Sequence, residues 1–134
     1  ACGYDKQQAR TSTPQFATEL MVSYAYDAVS RVNPLAFFGM VLVLEGTSIN
    51  LAEQAASQIA AKLGLPRKAF TYLNSHGALD QEHIKFYENL MNKISAEDEQ
   101  AVIVHAAKRF YRLYGDIFRS LEQPHGLRKL EPVA

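Results

Sequence analysis

Residues 35–44 form the longest apolar run in the sequence, and only Gly39 interrupts it. Ten residues are too few to span a bilayer, which takes roughly 20. A segment that is apolar on every side is typical of a helix at the centre of a soluble protein. We therefore predict a central, fully buried helix that begins at Pro34 and whose apolar run ends at Glu45.

Apolar residues elsewhere recur at helical spacing, and neither sustained alternation nor a hairpin turn dipeptide indicates a strand. The pattern predicts an all-α fold of four or five long antiparallel helices. Thr13 and Pro14 are a helix-start signal, Gly46 to Ser48 indicate a kink or a break, and Gly64 indicates a helix end. The predicted helices are 14–32, 34–45, 50–63, 67–93 and a last helix capped by Ser95, with Asp98 as its capping-box partner.

The length of 134 residues fits one domain with its own core. We expect a polar N-terminal arm over residues 1–13, a helical bundle over 14–121 and a C-terminal tail over 122–134. The arm is expected to be a loop or poorly ordered, because its residues are polar and mixed.

Charge and cysteine content exclude several functions. Fourteen basic and fourteen acidic residues cancel, so we expect neither a nucleic acid nor a membrane as a partner. Cys2 is the only cysteine, which excludes an intramolecular disulfide and a thiolate metal cage. The polar start does not resemble a signal peptide, and a reduced cytoplasmic setting is the expectation.

His76, Asp80 and His83 are spaced by four and three residues in a predicted helix. At about 100° per residue, all three fall within roughly 40° of one line along that helix. Two imidazoles and a carboxylate suit iron, manganese or zinc, and this set with open positions is typical of non-haem iron enzymes that bind O₂. Tyr72 and Tyr87 lie one turn before and after, as weaker candidates for a catalytic role.

Glu45 is the next residue of interest, because a carboxylate at the end of an apolar run is costly to bury unless it is paired or bound to metal. On a neighbouring helix it could be a fourth ligand. The alternatives are a helix-end carboxylate that faces water and a chance grouping of His and Asp on a helix surface. Four residues could line an apolar substrate cavity or belong to an ordinary core: Phe37, Phe38, Met40 and Met91.

Segment 33–48, NPLAFFGMVLVLEGTS, followed by Tyr72-Leu73 and the His76, Asp80 and His83 triplet, resembles the haem-oxygenase-like metal-oxidase family. These are iron-containing redox enzymes related to the chlamydial death-domain-associated protein, with coenzyme-PQQ synthase and thiaminase II as more distant fold relatives. The resemblance covers roughly residues 14–118. It implies a haem-oxygenase-like helical bundle, a dinuclear iron or iron–manganese centre and O₂ activation. Glu45, His76, Asp80 and His83 would be metal ligands.

The family has further ligands on helices N-terminal to this segment, and no histidine precedes His76 here. We therefore expect a partial bundle. Either a second copy of the chain or a missing N-terminal segment supplies the remaining ligands, or the site is incomplete and the four ligands hold one metal ion. The leading hypothesis is an iron-dependent oxidase or oxygenase that acts on a small organic molecule. Manganese could replace the iron. The alternatives are a metal-free enzyme of the thiaminase II or PQQ synthase type and a helical interaction module completed by dimerisation.

Overall fold

A computed structural model describes residues 2–121, except the side chains of residues 76–81. The described chain is helical, without a strand, which confirms the all-α prediction. The predicted tail, 122–134, lies outside the described residues. In chain order the elements are α1 Lys6–Thr11, α2 Phe16–Asp27, a π-helical turn Ala28–Val32, α3 Ala36–Leu63, a 3₁₀ turn Arg67–Phe70, α4 Thr71–Met91 and α5 Glu97–Ser120.

The N-terminal arm differs from the expected loop, because it contains the short helix α1. Asp5 caps this helix, and its side chain accepts a hydrogen bond of 2.6 Å from the Gln8 N–H. All described residues of the arm are exposed. The helix is therefore held by local hydrogen bonds and not by packing.

The start of α2 lies later than predicted, since the N-cap is Gln15 and not Thr13, and Pro14 precedes the helix. Its predicted end at Val32 agrees with the structure, where the π-helical turn stops before Asn33. The Asn33 side chain accepts a hydrogen bond of 2.9 Å from the Leu35 N–H and so begins the turn into α3.

The predicted break at Gly46 to Ser48 is wrong, because α3 continues without interruption from Ala36 to Leu63. One glycine lowers helix stability by only about 1 kcal/mol, and contacts of α3 with its neighbours along its length outweigh that loss. The Asn50 side chain also donates a hydrogen bond of 2.8 Å to the Gly46 carbonyl. The predicted end is correct: Gly64 takes the left-handed conformation, with φ of 61°.

The predicted cap of the last helix is also wrong. Ala96 is the N-cap of α5 and forms no side-chain cap bond, so Ser95 lies one residue too early. Asp98 accepts a hydrogen bond of 3.0 Å from the adjacent Glu99 N–H. The turn before α5 is closed by Gln100, whose side chain donates a hydrogen bond of 2.8 Å to the Ile94 carbonyl.

Helix α3 is the centre of the fold, because it packs against both α4 and α5, while α2 packs mainly against α5. The closest approach is at Gly39, where an added Cβ atom would lie 2.5 Å from the Ala107 nitrogen and 2.7 Å from the Ala106 Cβ. Phe110 of α5 is completely buried and its ring lies 4.9 Å from that of Tyr24. The core cluster consists of Met21, Ala28, Ala36, Val43, Ala106 and Phe110.

The prediction that the apolar run is fully buried is wrong. Phe37 and Leu42 of α3 are exposed, because α4 and α5 cover only part of the helix surface. Helix α3 is long and apolar enough to cross a membrane, a test that core helices of soluble proteins also pass, yet only 22% of its most apolar segment is buried. Many other residues of α3 are half-buried, but five of its large apolar side chains are exposed: Phe37, Leu42, Leu51, Ile59 and Leu63.

Candidate metal centre

Glu45 and His83 meet across the contact between α3 and α4. Glu45 lies on α3, ten residues into the helix, and His83 lies past the middle of α4. The distance from Glu45 Oε1 to His83 Nδ1 is 3.6 Å. The side chains are 27% and 54% exposed, respectively, so the pair lies at the edge of the helix contact, where small molecules can reach it.

The separation of 3.6 Å is too long for a hydrogen bond between these two atoms. It is shorter than two metal–ligand bonds placed end to end, each about 2.0–2.2 Å to a nitrogen or carboxylate oxygen. A single metal ion could therefore bind both atoms without movement of the backbone. The pair would otherwise be a partly exposed ion pair, with a charge on His83 only when it is protonated.

The other two predicted ligands, His76 and Asp80, have side chains outside the described residues. Their backbone belongs to α4, which is unbroken from Thr71 to Met91, so the predicted spacing of four and three residues up to His83 is retained. Among the described side chains, no group of three or more His, Cys, Asp or Glu residues could hold a metal ion. The structure thus brings together Glu45 and His83 and does not test the other two positions.

Tyr87 and Tyr72, the weaker candidates, have different environments. Tyr87 lies one turn after His83, is only 8% exposed and packs edge-on against Phe38, with ring centroids 6.3 Å apart. Burial raises the pKa of the Tyr87 phenol, so the group is a neutral hydrogen-bond donor. Tyr72 is exposed. Burial raises the pKa of Tyr114, and the nearby Tyr72 phenol raises it further.

An apolar cavity of about 450 Å³ begins at Tyr87 and extends between α3, α4 and α5. Met91 lines it, as the sequence suggested, while Phe38 contacts Tyr87 and Met40 packs on the core cluster. The sequence did not indicate the remaining walls, because helical spacing alone does not show which apolar residues surround a space. These walls include Leu42, Ile103, Val104 and Ala107.

Comparison with known proteins agrees with this architecture. The sequence profile of a family described as iron-containing redox enzyme, with a haem-oxygenase-like fold, matches residues 1–115. The matched range includes Glu45, His83 and the other two candidate positions. No curated protein and no solved structure matches the chain. The chain therefore belongs to the haem-oxygenase-like family of iron-containing redox enzymes.

Proposed function

We propose that this protein is a non-haem, iron-dependent oxidase or oxygenase that uses O₂ on a small organic substrate, with manganese as the possible alternative metal. Glu45, His76, Asp80 and His83 would hold the metal. The observation that carries the proposal is the approach of Glu45 Oε1 to His83 Nδ1 at 3.6 Å, across two different helices. Family membership supports the redox chemistry.

The donor set fits the proposed metal. Imidazole nitrogens and carboxylate oxygens suit iron, and two of each leave coordination positions for other groups. The bound iron would supply the redox chemistry that activates O₂. To bind a metal ion, Glu45 must supply a carboxylate and His83 a neutral imidazole nitrogen, because both ligands must be deprotonated.

The surrounding side chains would define where the substrate binds. Leu42 precedes Glu45 by three residues and Tyr87 follows His83 by four, so the apolar cavity begins about one helical turn from the pair. Its mainly apolar walls would contact an apolar substrate, and Tyr87, which is only 8% exposed, could donate a hydrogen bond to a polar group on it. Because the described site has an exposed side, substrate and O₂ can enter from solvent.

A second candidate function, an interaction module completed by a second copy of the chain, is favoured by the uncovered apolar surface of α3. In that arrangement the partner would cover α3 and could supply further metal ligands. Light scattering coupled to size-exclusion chromatography tests this candidate. A monomer at micromolar concentration would contradict it, whereas a dimer would support it.

The metal content of the purified protein tests the leading proposal. Protein from iron-supplemented medium should retain iron, or manganese, and Glu45→Ala and His83→Ala should each lose most of it. Matched controls are Glu53→Ala and His105→Ala, which remove the same side chains from exposed positions on α3 and α5. The proposal fails if no iron or manganese co-purifies and the two ligand variants also match the wild type in metal content and stability.

A further inference from the structure

A continuous groove runs between α3 and α5, away from Glu45. It consists of two adjoining hollows, of about 620 and 440 Å³. The two share Leu51 and Tyr111, and the first adjoins the cavity at Tyr87 through Leu42 and Ala107. Lys108 lines both hollows and also reaches that cavity. We call this surface the α3–α5 groove.

The groove and the candidate metal centre occupy different sides of α3. Adjacent positions on a helix are about 100° apart. Gly46 lines the groove, whereas the neighbouring Glu45 contacts His83 on α4. Neither hollow is lined by a residue of α4, so binding in the groove can be measured apart from metal binding at His83.

The charges that line the groove have one sign. Lys108, Arg112 and Arg119 line it, and none of its lining residues is Asp or Glu. Asp116 accepts hydrogen bonds from both arginines, at 3.2 and 2.7 Å, and offsets part of their charge. Lys108 has no carboxylate within ion-pair distance among the described residues. The groove therefore combines apolar walls with one cation that is not neutralised.

We propose that the α3–α5 groove binds a small molecule with an apolar body and a single anionic head group, with Lys108 as the contact for the head group. The hollows have the volume of ordinary small-molecule sites, about 300–1,000 Å³. The walls would bury the apolar body, with Leu42, Leu51 and Tyr111 lining the same hollow as Lys108. The lysine selects a negative charge, because the groove lining offers no carboxylate to attract a cation.

The test compares two probes of equal chain length and opposite charge, decanesulfonate and decyltrimethylammonium, below their micelle concentrations. Decanesulfonate should bind with saturation and shift amide NMR signals of α5 around Lys108, while signals around His83 stay unchanged. Lys108→Met should weaken binding roughly fivefold, near the upper end for an exposed ion pair. Lys108→Arg should retain binding, and Lys62→Met, which removes an exposed lysine outside the groove, should have no effect.

Three results would overturn the proposal. One is equal affinity for the cationic probe, which would mean that the groove binds the apolar chain and does not distinguish the charge. Another is an unchanged affinity for decanesulfonate in both Lys108→Met and Lys108→Gln. The Lys108 side chain is exposed, and circular dichroism can verify that both variants are folded. The third is a shift of the same amide signals with protein concentration but not with decanesulfonate, which would make the groove an interface between copies of the chain.

Discussion

Glu45 of α3 and His83 of α4, 38 positions apart in sequence, approach to 3.6 Å between Oε1 and Nδ1. The contact between the two long helices fixes this relationship, since neither residue lies in a loop. Two metal-ligand side chains held on helices need little rearrangement to bind an ion, which favours metal binding.

Ferrous iron should raise the thermal stability of the protein under anaerobic conditions. A ligand that binds only the folded state stabilises it by about 2.7 kcal/mol at 100 times its Kd. Differential scanning fluorimetry measures the shift. Glu45→Ala should abolish the shift, and Glu53→Ala, on the exposed surface of the same helix, should retain it. An equal shift in both variants would place the iron elsewhere.

Gly39→Ala should destabilise the fold, because the added Cβ atom would lie 2.5 Å from a backbone nitrogen of α5. Overpacking of this kind typically costs about 1–3 kcal/mol. The control is Gly46→Ala on the same helix, where a Cβ atom meets nothing within 4 Å. This change should stabilise the helix by about 0.5–1 kcal/mol. Urea unfolding measures both, and changes of the same sign would contradict the proposed crossing of α3 and α5.

Phe110→Ala should lower the free energy of unfolding by about 3–5 kcal/mol, the usual loss for a fully buried aromatic ring. Its neighbour Tyr111 is 71% exposed. Tyr111→Ala should therefore change stability by less than about 0.5 kcal/mol. Similar losses of stability in the two variants would contradict the described orientation of α5, in which Phe110 is buried and Tyr111 is exposed.

Acid should weaken the contribution of Asp116 to stability. Partial burial raises the pKa of this carboxyl, but hydrogen bonds from Arg119 and Arg112 outweigh that effect and hold the pKa below its ordinary value of 3.8. A lowered pKa in the folded state means that the contribution is present above pH 3.8 and is lost as the pH falls below it. Between neutral pH and pH 3, the free energy of unfolding should therefore fall less steeply for Asp116→Asn than for the wild type. Equal pH dependence would contradict the assignment.

Helix positions were more predictable than helix ends or helix breaks. The left-handed Gly64 ended α3 as predicted, because a local backbone conformation determines that feature. Gly46 did not break α3, because contacts with neighbouring helices outweigh the propensity of a single residue. The same contacts explain why sequence could not show which side of the apolar run is left uncovered.

The candidate site was predictable to a similar degree. Spacing identified His83 as part of a possible ligand set, and the end of the apolar run identified Glu45, but only the packing of α3 on α4 shows that the two meet. The cavity walls on α5 were not predicted, since they depend on how α5 lies against α3 and α4.

An anomalous difference map at the iron absorption edge, from crystals of protein loaded with ferrous iron, tests the central proposal most directly. The proposal predicts a peak within bonding distance of Glu45 and His83, with His76 and Asp80 as the remaining protein ligands. An iron peak at other residues, or no peak at this pair in fully loaded protein, would contradict it.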